Sequence, residues 1–175
     1  RMENWTGTSS GDRGTGGPIS VTDVSDALHP LTLACLTAFE EAGFSRNSDY
    51  NANEMCGVGP YQITTRRGVR VSAAEGYLTP ARQRSNLQVR TNAHASKIVF
   101  DGRRAVGVSY LVGGREVAAR VRREVILSAG ALNTPHLLQL SGIGPPDVLQ
   151  SAGIEVVRAS PQVGRNLRHE LRNAF

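Results

Sequence analysis

Residues 124–144 read EVILSAGALNTPHLLQLSGIG, and this stretch contains the most informative pattern of the chain. The apolar run at 125–127 has the length of a buried strand, and the small residues 128–131 follow it directly. Thr134-Pro135 is then predicted to begin a helix, with Thr134 as the N-cap and Pro135 in the first turn. The run Ser141-Gly142-Ile143-Gly144 is predicted to end it. The stretch therefore predicts a strand, a small-residue turn and a capped helix.

A turn without bulky side chains has a consequence for binding. It leaves backbone N–H groups and the positive end of a helix dipole open beside a sheet. This arrangement suits a nucleotide cofactor or an anion. The same small residues would also let a helix pack tightly on a strand, so the residues alone leave both interpretations open.

The fixed positions of this stretch resemble the second signature of the glucose-methanol-choline (GMC) flavoprotein oxidoreductases. Four groups of residues match that signature in order: Gly130-Ala131, Thr134-Pro135, Leu137-Leu138 and Ser141-Gly142-Ile143-Gly144. Because several positions agree in register, the match is more specific than a lone glycine pattern. The resemblance implies an enzyme that binds FAD and oxidises an alcohol.

Weaker matches to the same family extend along the chain. Residues 14–19 resemble the family's G-x-x-G-P-[IL] entry into the substrate domain. The family order continues with Asp49-x-Asn51, Gly57-x-Gly59, Gly68-x-Arg70-x-Ser72-Ala73-Ala74 and Tyr77-Leu78-x-Pro80. Gly57 and Gly59 do not begin a dinucleotide phosphate loop, because Gln62 stands where the third glycine of that fingerprint belongs.

The resemblance also implies which residues hold the cofactor. In GMC proteins the segment after a parallel strand, which corresponds here to residues 87–91, presents backbone groups to the flavin's adenine. This position corresponds to Ala95, where the family more often has Val. Together with the small-residue turn, this gives four candidate FAD-binding residues: Ala95, Ser128, Ala129 and Gly130. The family's catalytic base is a His near the far C-terminus of its pattern, so no catalytic residue is assigned in this chain.

Another family motif is matched only in part. Gly164-x-Asn166-Leu167 resembles V-G-x-N-L-x-D-H, but the following Arg168-His169-Glu170 does not keep the Asp and His in register. His169 is therefore predicted to lie in a solvated turn and not to act in catalysis.

The chain between these motifs predicts a mixed α/β fold. A β-meander is predicted, leading into the strand at 125–127, from strands at 87–91, 95–100, 105–111 and 117–121, with turns at Asp101-Gly102 and Gly113-Gly114. By resemblance, residues 1–80 belong to a substrate-binding domain and residues 81–175 to a Rossmann-like FAD-binding domain.

Shorter elements are predicted from local signals. A helix capped by Asp26 or His29, with Pro30 in its first turn, runs to Gly43, and its apolar stripe is predicted to be core: Leu31, Ala34, Cys35, Ala38, Phe39 and Ala42. Ser72 and Glu75 form a capping box, and Thr79-Pro80 predicts another helix start. Further elements are predicted as strands at 19–22, 61–65 and 154–157 and a helix at 148–152.

Composition limits the other classes of function. The net charge is +5, from 20 Lys and Arg against 15 Asp and Glu, yet only 5% of residues are aromatic and no nucleic-acid-binding motif occurs. The two cysteines and four histidines lack metal-ligand spacing, so no metal site is predicted, and Cys35 and Cys56 are expected as reduced core or pocket thiols. No run has the length of a membrane span and no secretion signal is recognised, which favours a cytoplasmic location, with the parent protein alternatively peripheral to the inner membrane.

The sequence thus predicts an internal fragment of an FAD-dependent GMC oxidoreductase. The parent protein would oxidise a primary alcohol, choline-like or other, to an aldehyde by hydride transfer to the flavin, and the fragment itself would be inactive. Two alternatives stay open, a stand-alone adenine-nucleotide-binding module and a basic interaction protein without catalysis. The expected partner is a small alcohol and not nucleic acid, and exposed sheet edges would invite self-association.

Overall fold

The computed structural model describes residues 2–8, 11 and 13–168. The chain divides into two compact units, residues 1–89 and residues 90–175. Helices and small sheets occur in both, as the predicted mixed fold class requires. Within the described ranges, no helix combines the length and the apolar character that a membrane crossing would need.

The first unit begins with two short parallel strands. Strand β1 (Glu3–Trp5) pairs with β2 (Ile19–Val21), which confirms the predicted strand at 19–22 over most of its length. The predicted strand at 61–65 is wrong apart from its last residue, because only a single bridge, Thr22 to Ile63, pairs this segment.

A two-residue hairpin and a helical segment follow in the same unit. Strand β3 (Thr65–Arg66) pairs antiparallel with β4 (Val69–Arg70). A π-helical turn at Ala74–Leu78 then runs directly into helix α2 (Thr79–Ala81). The Oγ of Ser72 accepts the Glu75 N–H at 3.2 Å, as the capping box predicts, whereas Thr79 caps nothing because the residue before it is already helical.

Helix α1 (Pro30–Glu41) begins as predicted. The Nδ1 of His29 accepts the Leu31 N–H at 3.2 Å, and Pro30 occupies the first helical position. The prediction that its apolar stripe is core is wrong. Leu36, which lies outside that stripe, is the buried residue of α1, whereas Leu31 is 66% and Phe39 49% exposed. The helical period was correct, but no described element covers that face.

The second unit opens with the predicted meander. Strands β5 (His94–Asp101), β6 (Arg104–Val112) and β7 (Arg115–Arg120) form an antiparallel sheet in that order. Gly102 has a positive φ in the first turn, as do both glycines of the second. The predicted strand at 87–91 is wrong, because those residues pair with no strand in the described part of the chain.

The stretch at 124–144 departs from its prediction at both its strand and its helix start. Residues 125–127 form no strand, since no described strand lies alongside to pair with them, and Ile126 is 78% exposed. Helix α3 (Gly130–Leu140) begins earlier than predicted, with Ala129 as N-cap and Pro135 inside the helix. It ends as predicted, with Ser141 as C-cap and Gly142 at φ +84°.

The last described elements pack beside the end of α3. Strand β8 (Ile143–Gly144) pairs parallel with β9 (Arg158–Ala159), and helix α4 (Pro146–Ser151) lies between them in the chain. The helix at 148–152 is thus confirmed, while the strand predicted at 154–157 is displaced to 158–159. The reason is that the Gly142 carbonyl accepts the Val157 and Arg158 N–H groups and so fixes the later register.

Candidate functional site

A cavity of about 240 Å³ lies within the second unit, between β5 and α3. Ala95 from β5 and Ala129 from the N-cap of α3 both line it. Its full lining consists of Ala93, His94, Ala95, Ala129, Asn133, His136, Leu137 and Leu140. Two of the four candidate site residues, distant in sequence, therefore border one space.

The N-terminus of α3 is open at this place. No side chain caps its first N–H groups, and Ser128, Ala129 and Gly130 are all exposed. Gly130 has φ +85°, and a Cβ built on it would meet no atom within 4 Å. Ser128 and Gly130 flank Ala129 without lining the cavity. No neighbouring atom thus fills the space at Gly130, and the uncapped N–H groups of the helix start lie next to the cavity.

Ser141 fixes the distance between the two walls of the cavity. Its Oγ accepts the Ile98 N–H at 2.8 Å and donates to the Leu137 carbonyl at 2.6 Å. All three residues are buried, with Ser141 only 1% exposed. This pair of hydrogen bonds ties β5 to α3 and so holds Ala95 near Ala129. The sequence indicated Ser141 only as a helix terminator, because its partner Ile98 is distant in the chain.

Three polar side chains of the lining were not identified from the sequence. His94, Asn133 and His136 are exposed and make no side-chain hydrogen bond within the described part of the chain. Asn133 and His136 lie three residues apart, a spacing that places both on one side of a helix. That spacing was the available signal, and it became useful only once the helix start at Gly130 was known.

A larger cavity of about 380 Å³ lies on another side of α3. His136 lines this cavity too, together with Gly164 and Arg165 from the partly matched motif. Gly164 has φ +83°, and a Cβ on it would lie 2.8 Å from the Gln139 amide nitrogen. His169, predicted to lie in a solvated turn, is outside the described residues.

The two thiols lie at the surface of the first unit. Cys35 and Cys56 are free and exposed, so the expectation of core thiols is wrong, although Cys56 lines an open cavity of the first unit. Cys35 is exposed because it belongs to the uncovered stripe of α1. In the ranges that the structure describes, no three His, Cys, Asp or Glu side chains are grouped to hold a metal ion.

Comparison with known proteins identifies close similarities over most of the chain. Residues 1–172 match the family model described as GMC oxidoreductase. The chain is 46% identical over 158 residues to the oxygen-dependent choline dehydrogenase of Pseudomonas putida, covering 89% of this chain and 28% of that protein.

Solved structures share the fold. Pyridoxine 4-oxidase from Mesorbium loti superposes with a TM-score of 0.86 at 33% identity, covering 92% of this chain and 32% of that one. An FAD-dependent oxidoreductase from Chaetomium thermophilum superposes with a TM-score of 0.83 at 30% identity, covering 91% and 30%. The chain thus spans just under a third of the length of these proteins.

Proposed function

The chain belongs to the GMC oxidoreductase family, and from this premise we propose that residues 90–168 supply part of an FAD site in a protein that oxidises an alcohol. In this proposal residues 1–80 belong to the substrate-binding domain and residues 81–175 to the FAD-binding domain. The adenosine half of the dinucleotide lies against Ala95, Ser128, Ala129 and Gly130.

One observation carries the proposal. Ala95 and Ala129 border the same cavity, at the open N-terminus of an eleven-residue helix. Small side chains let a flat base approach the main chain, and uncapped N–H groups favour the negative charge of a nucleotide. The net charge of residues 90–175 is +6, from 12 Lys and Arg against 6 Asp and Glu, which acts in the same direction.

The dimensions of the cavity fit one end of a dinucleotide. Its volume of about 240 Å³ is below the ~300–1,000 Å³ of pockets that enclose a whole drug-sized ligand. The open bend at Gly130 lets a longer molecule extend out of the cavity. When bound, FAD supplies the acceptor for the hydride that leaves the alcohol carbon.

The residues of this chain have binding and orienting roles in the proposal. The backbone of Ala95 and the N–H groups following Ala129 hold the adenosine end, and Ser141 keeps β5 and α3 at the required separation. Asn133 and His136 add donors and acceptors at the rim. All of these roles concern the adenosine end of the cofactor, so none of these residues is assigned a catalytic role.

The names of the relatives support the proposed substrate class. One matched protein is named a choline dehydrogenase and another a pyridoxine oxidase, and both names denote oxidation of an alcohol. We therefore assign the parent protein a small primary alcohol, choline-like or other, as substrate and the aldehyde as product.

The binding step is tested with the 175-residue chain itself. Isothermal titration with ADP and with FAD is expected to show binding of both, since ADP carries the adenosine end. Ala129→Leu is expected to weaken both affinities by about tenfold or more, because the added atoms enter the cavity.

Ala152→Leu is the matched control. Ala152 is exposed at the end of α4 and lines no described cavity near α3, so the same added atoms should leave both affinities unchanged. Equal loss in the two variants, or no ADP binding by the folded wild-type chain, would contradict the proposal.

A further inference from the structure

Strand β7 is an uncovered edge of the meander. It lies at the end of the order β5-β6-β7, and all six of its residues are exposed. A strand at the edge of a sheet carries a row of unpaired N–H and C=O groups that can pair with another strand.

The β6–β7 register shows which backbone groups face outward. The Val121 N–H donates to the Val106 carbonyl at 3.0 Å, in line with the pairing of Val108 with Ala119. Antiparallel pairs alternate between bonded and non-bonded along the strand. The odd-numbered residues of β7 therefore bond to β6, and Glu116, Ala118 and Arg120 direct their N–H and C=O groups away from the sheet.

The opposite edge of the sheet is partly covered. On β5, the Ile98 N–H is already bonded to the Ser141 Oγ at 2.8 Å, and α3 packs there. The pairing of β5 with β6 also contains two register shifts, which interrupt a regular edge. Of the two edges of the meander, β7 is the regular and open one.

The charges on β7 are complementary to those of a second, antiparallel copy of the same strand. Glu116 and Arg120 take part in none of the ion pairs of the described residues. They share one face with Ala118, which lies midway between them, because side chains alternate along a strand. A second copy of β7 laid antiparallel, with Ala118 opposite Ala118, therefore places Glu116 of each copy opposite Arg120 of the other.

The geometry points to an antiparallel β7–β7 pairing between two copies of this chain, with a two-fold axis at Ala118. The three outward-facing residues of each copy then exchange backbone hydrogen bonds with those of the other. Two Glu116–Arg120 pairs form across the axis, and the other face places Val117 opposite Ala119. The meander becomes one sheet continuous across the two copies.

Neighbouring symmetric registers are less favourable. Centring the pairing on Glu116 or on Arg120 places identical charges directly opposite each other, which destabilises a strand pair. Centring it on Val117 leaves Glu116 opposite Ala118 without a charge partner. An isologous pairing also closes on itself, because each copy uses its one β7 edge. The expected product is a dimer and not a fibre.

Charge reversal tests the register in the full chain. Sedimentation velocity over a concentration series is expected to show a weak monomer–dimer equilibrium for the wild type, because β7 contributes few residues. Glu116→Arg and Arg120→Glu each place like charges opposite each other, so each should raise the dimer dissociation constant by about tenfold or more.

Two ways of combining the substitutions distinguish this pairing from a general effect of net charge. The double variant Glu116→Arg/Arg120→Glu restores opposite charges and should dimerise like the wild type. An equimolar mixture of the two single variants should form a heterodimer, since each supplies the charge that the other lacks. If neither the double variant nor the mixture restores association, the assigned register is wrong.

A cross-link tests the axis directly. In a Cys35→Ser/Cys56→Ser background, Ala118→Cys brings two thiols to a pair whose Cα atoms lie about 5.5 Å apart, within the range of a disulfide. Ala119→Cys is the matched control, because its symmetry mate is offset along the strand by two residues. Cross-linking at 118 and not at 119 is expected.

Other outcomes would overturn the inference. A chain that stays monomeric at every concentration has no such pairing. Dimerisation that survives both charge reversals but is lost in Leu31→Ser/Phe39→Ser would assign association to the exposed face of α1 instead. Circular dichroism of each variant, unchanged from wild type, ensures that loss of association is not loss of folding.

Discussion

At the residue scale, the buried Arg13 side chain of the first unit is bonded to three other side chains. Arg13 is 4% exposed, and its guanidinium donates to both Glu3 carboxylate oxygens, to Asp49 at 2.6 Å and to Gln62 at 2.8 Å. It also lies over the Trp5 ring, 4.1 Å from the ring centroid. A buried cation is tolerated only with such partners, so this one residue ties the N-terminal strands to the loop that holds Asp49.

The Glu3–Arg13 pair makes the stability of this unit depend on pH. The hydrogen bond from Arg13 lowers the pKa of Glu3 below its ordinary value of 4.5, and the Gly14 N–H adds to this effect. A carboxyl with a lowered pKa stabilises the folded state at higher pH, and that stability is lost as the pH falls through the lowered pKa. We expect the free energy of unfolding to decrease on acidification below pH 4.5.

The buried Trp5, the one tryptophan of the chain, reports this unfolding by its fluorescence. Glu3→Gln should be less stable than wild type at neutral pH and should lose less stability on acidification. Glu41→Gln, on the exposed side of α1, should follow the wild-type pH profile. A Glu3→Gln variant with the wild-type acid dependence would show that another group is responsible.

The Ser141 hydroxyl is expected to contribute both to stability and to nucleotide binding. Ser141→Ala leaves the buried Ile98 N–H without its acceptor, which costs about 1–3 kcal/mol. Hydrogen exchange of the Ile98 amide should accelerate accordingly, and ADP affinity should fall because β5 is no longer held to α3. Ser151→Ala removes an exposed hydroxyl that also bonds to a carbonyl of its own helix, at 2.9 Å, and should change neither quantity.

At the element scale, the two ends of α3 depend on glycine for different reasons. Gly130 and Gly142 have nearly the same φ, +85° and +84°. A Cβ on Gly130 would meet nothing, whereas a Cβ on Gly142 would lie 2.5 Å from the Glu155 carbonyl oxygen. The start of α3 thus needs only the conformational freedom of glycine, and its end also needs the missing side chain.

Alanine substitution separates these two requirements. Gly130→Ala should cost about 1–2 kcal/mol, the strain of a left-handed alanine. Gly142→Ala should cost about 1–3 kcal/mol more, because the neighbouring backbone must also move. Urea unfolding followed by circular dichroism measures both. Equal losses of stability in the two variants would mean that the backbone at Glu155 moves away from the added Cβ without a cost in free energy.

Some elements could be predicted because they depend on local residues, whereas others depend on distant partners. The His29 cap, the turn at Gly102 and the end of α3 were predicted because each depends on residues within a few positions. Residues 87–91 and 125–127 have strand-like composition but no partner among the described residues, and a strand exists only when its backbone groups are paired.

At the scale of the whole molecule, the chain consists of two units with different charge. Residues 1–89 have a net charge of −1, from 8 Lys and Arg against 9 Asp and Glu, whereas residues 90–175 have +6, from 12 against 6. The excess positive charge therefore belongs to the unit with the candidate nucleotide site. This distribution favours an anionic ligand at the second unit, whereas the net charge of the first unit does not attract one.

The segment joining the units is expected to be the first site of proteolysis. Residues 82–93 contain no helix or strand, and Arg82, Arg84 and Arg90 are exposed. Exposed chain without regular hydrogen bonding is cut before paired backbone. Brief trypsin treatment followed by mass spectrometry should therefore give two fragments divided within this segment.

Replacing the three arginines by Gln should slow this cleavage while leaving later cuts unchanged. First cuts inside the β6–β7 region would instead show that the meander opens before the joining segment. The substitutions alter only exposed side chains, so they should not change the circular dichroism spectrum.

Residue patterns along the chain were sufficient to predict several local features: the family signature, the glycine turns, the His29 cap and the three strands of the meander. These depend on contacts between near neighbours, which a linear pattern contains. Three features became evident only from the folded chain: Ala95 and Ala129 share a cavity, Ser141 joins β5 to α3, and no described element covers the stripe of α1. Each of these depends on which distant segments meet, and local sequence patterns do not reveal those contacts because tertiary context overrides local propensity.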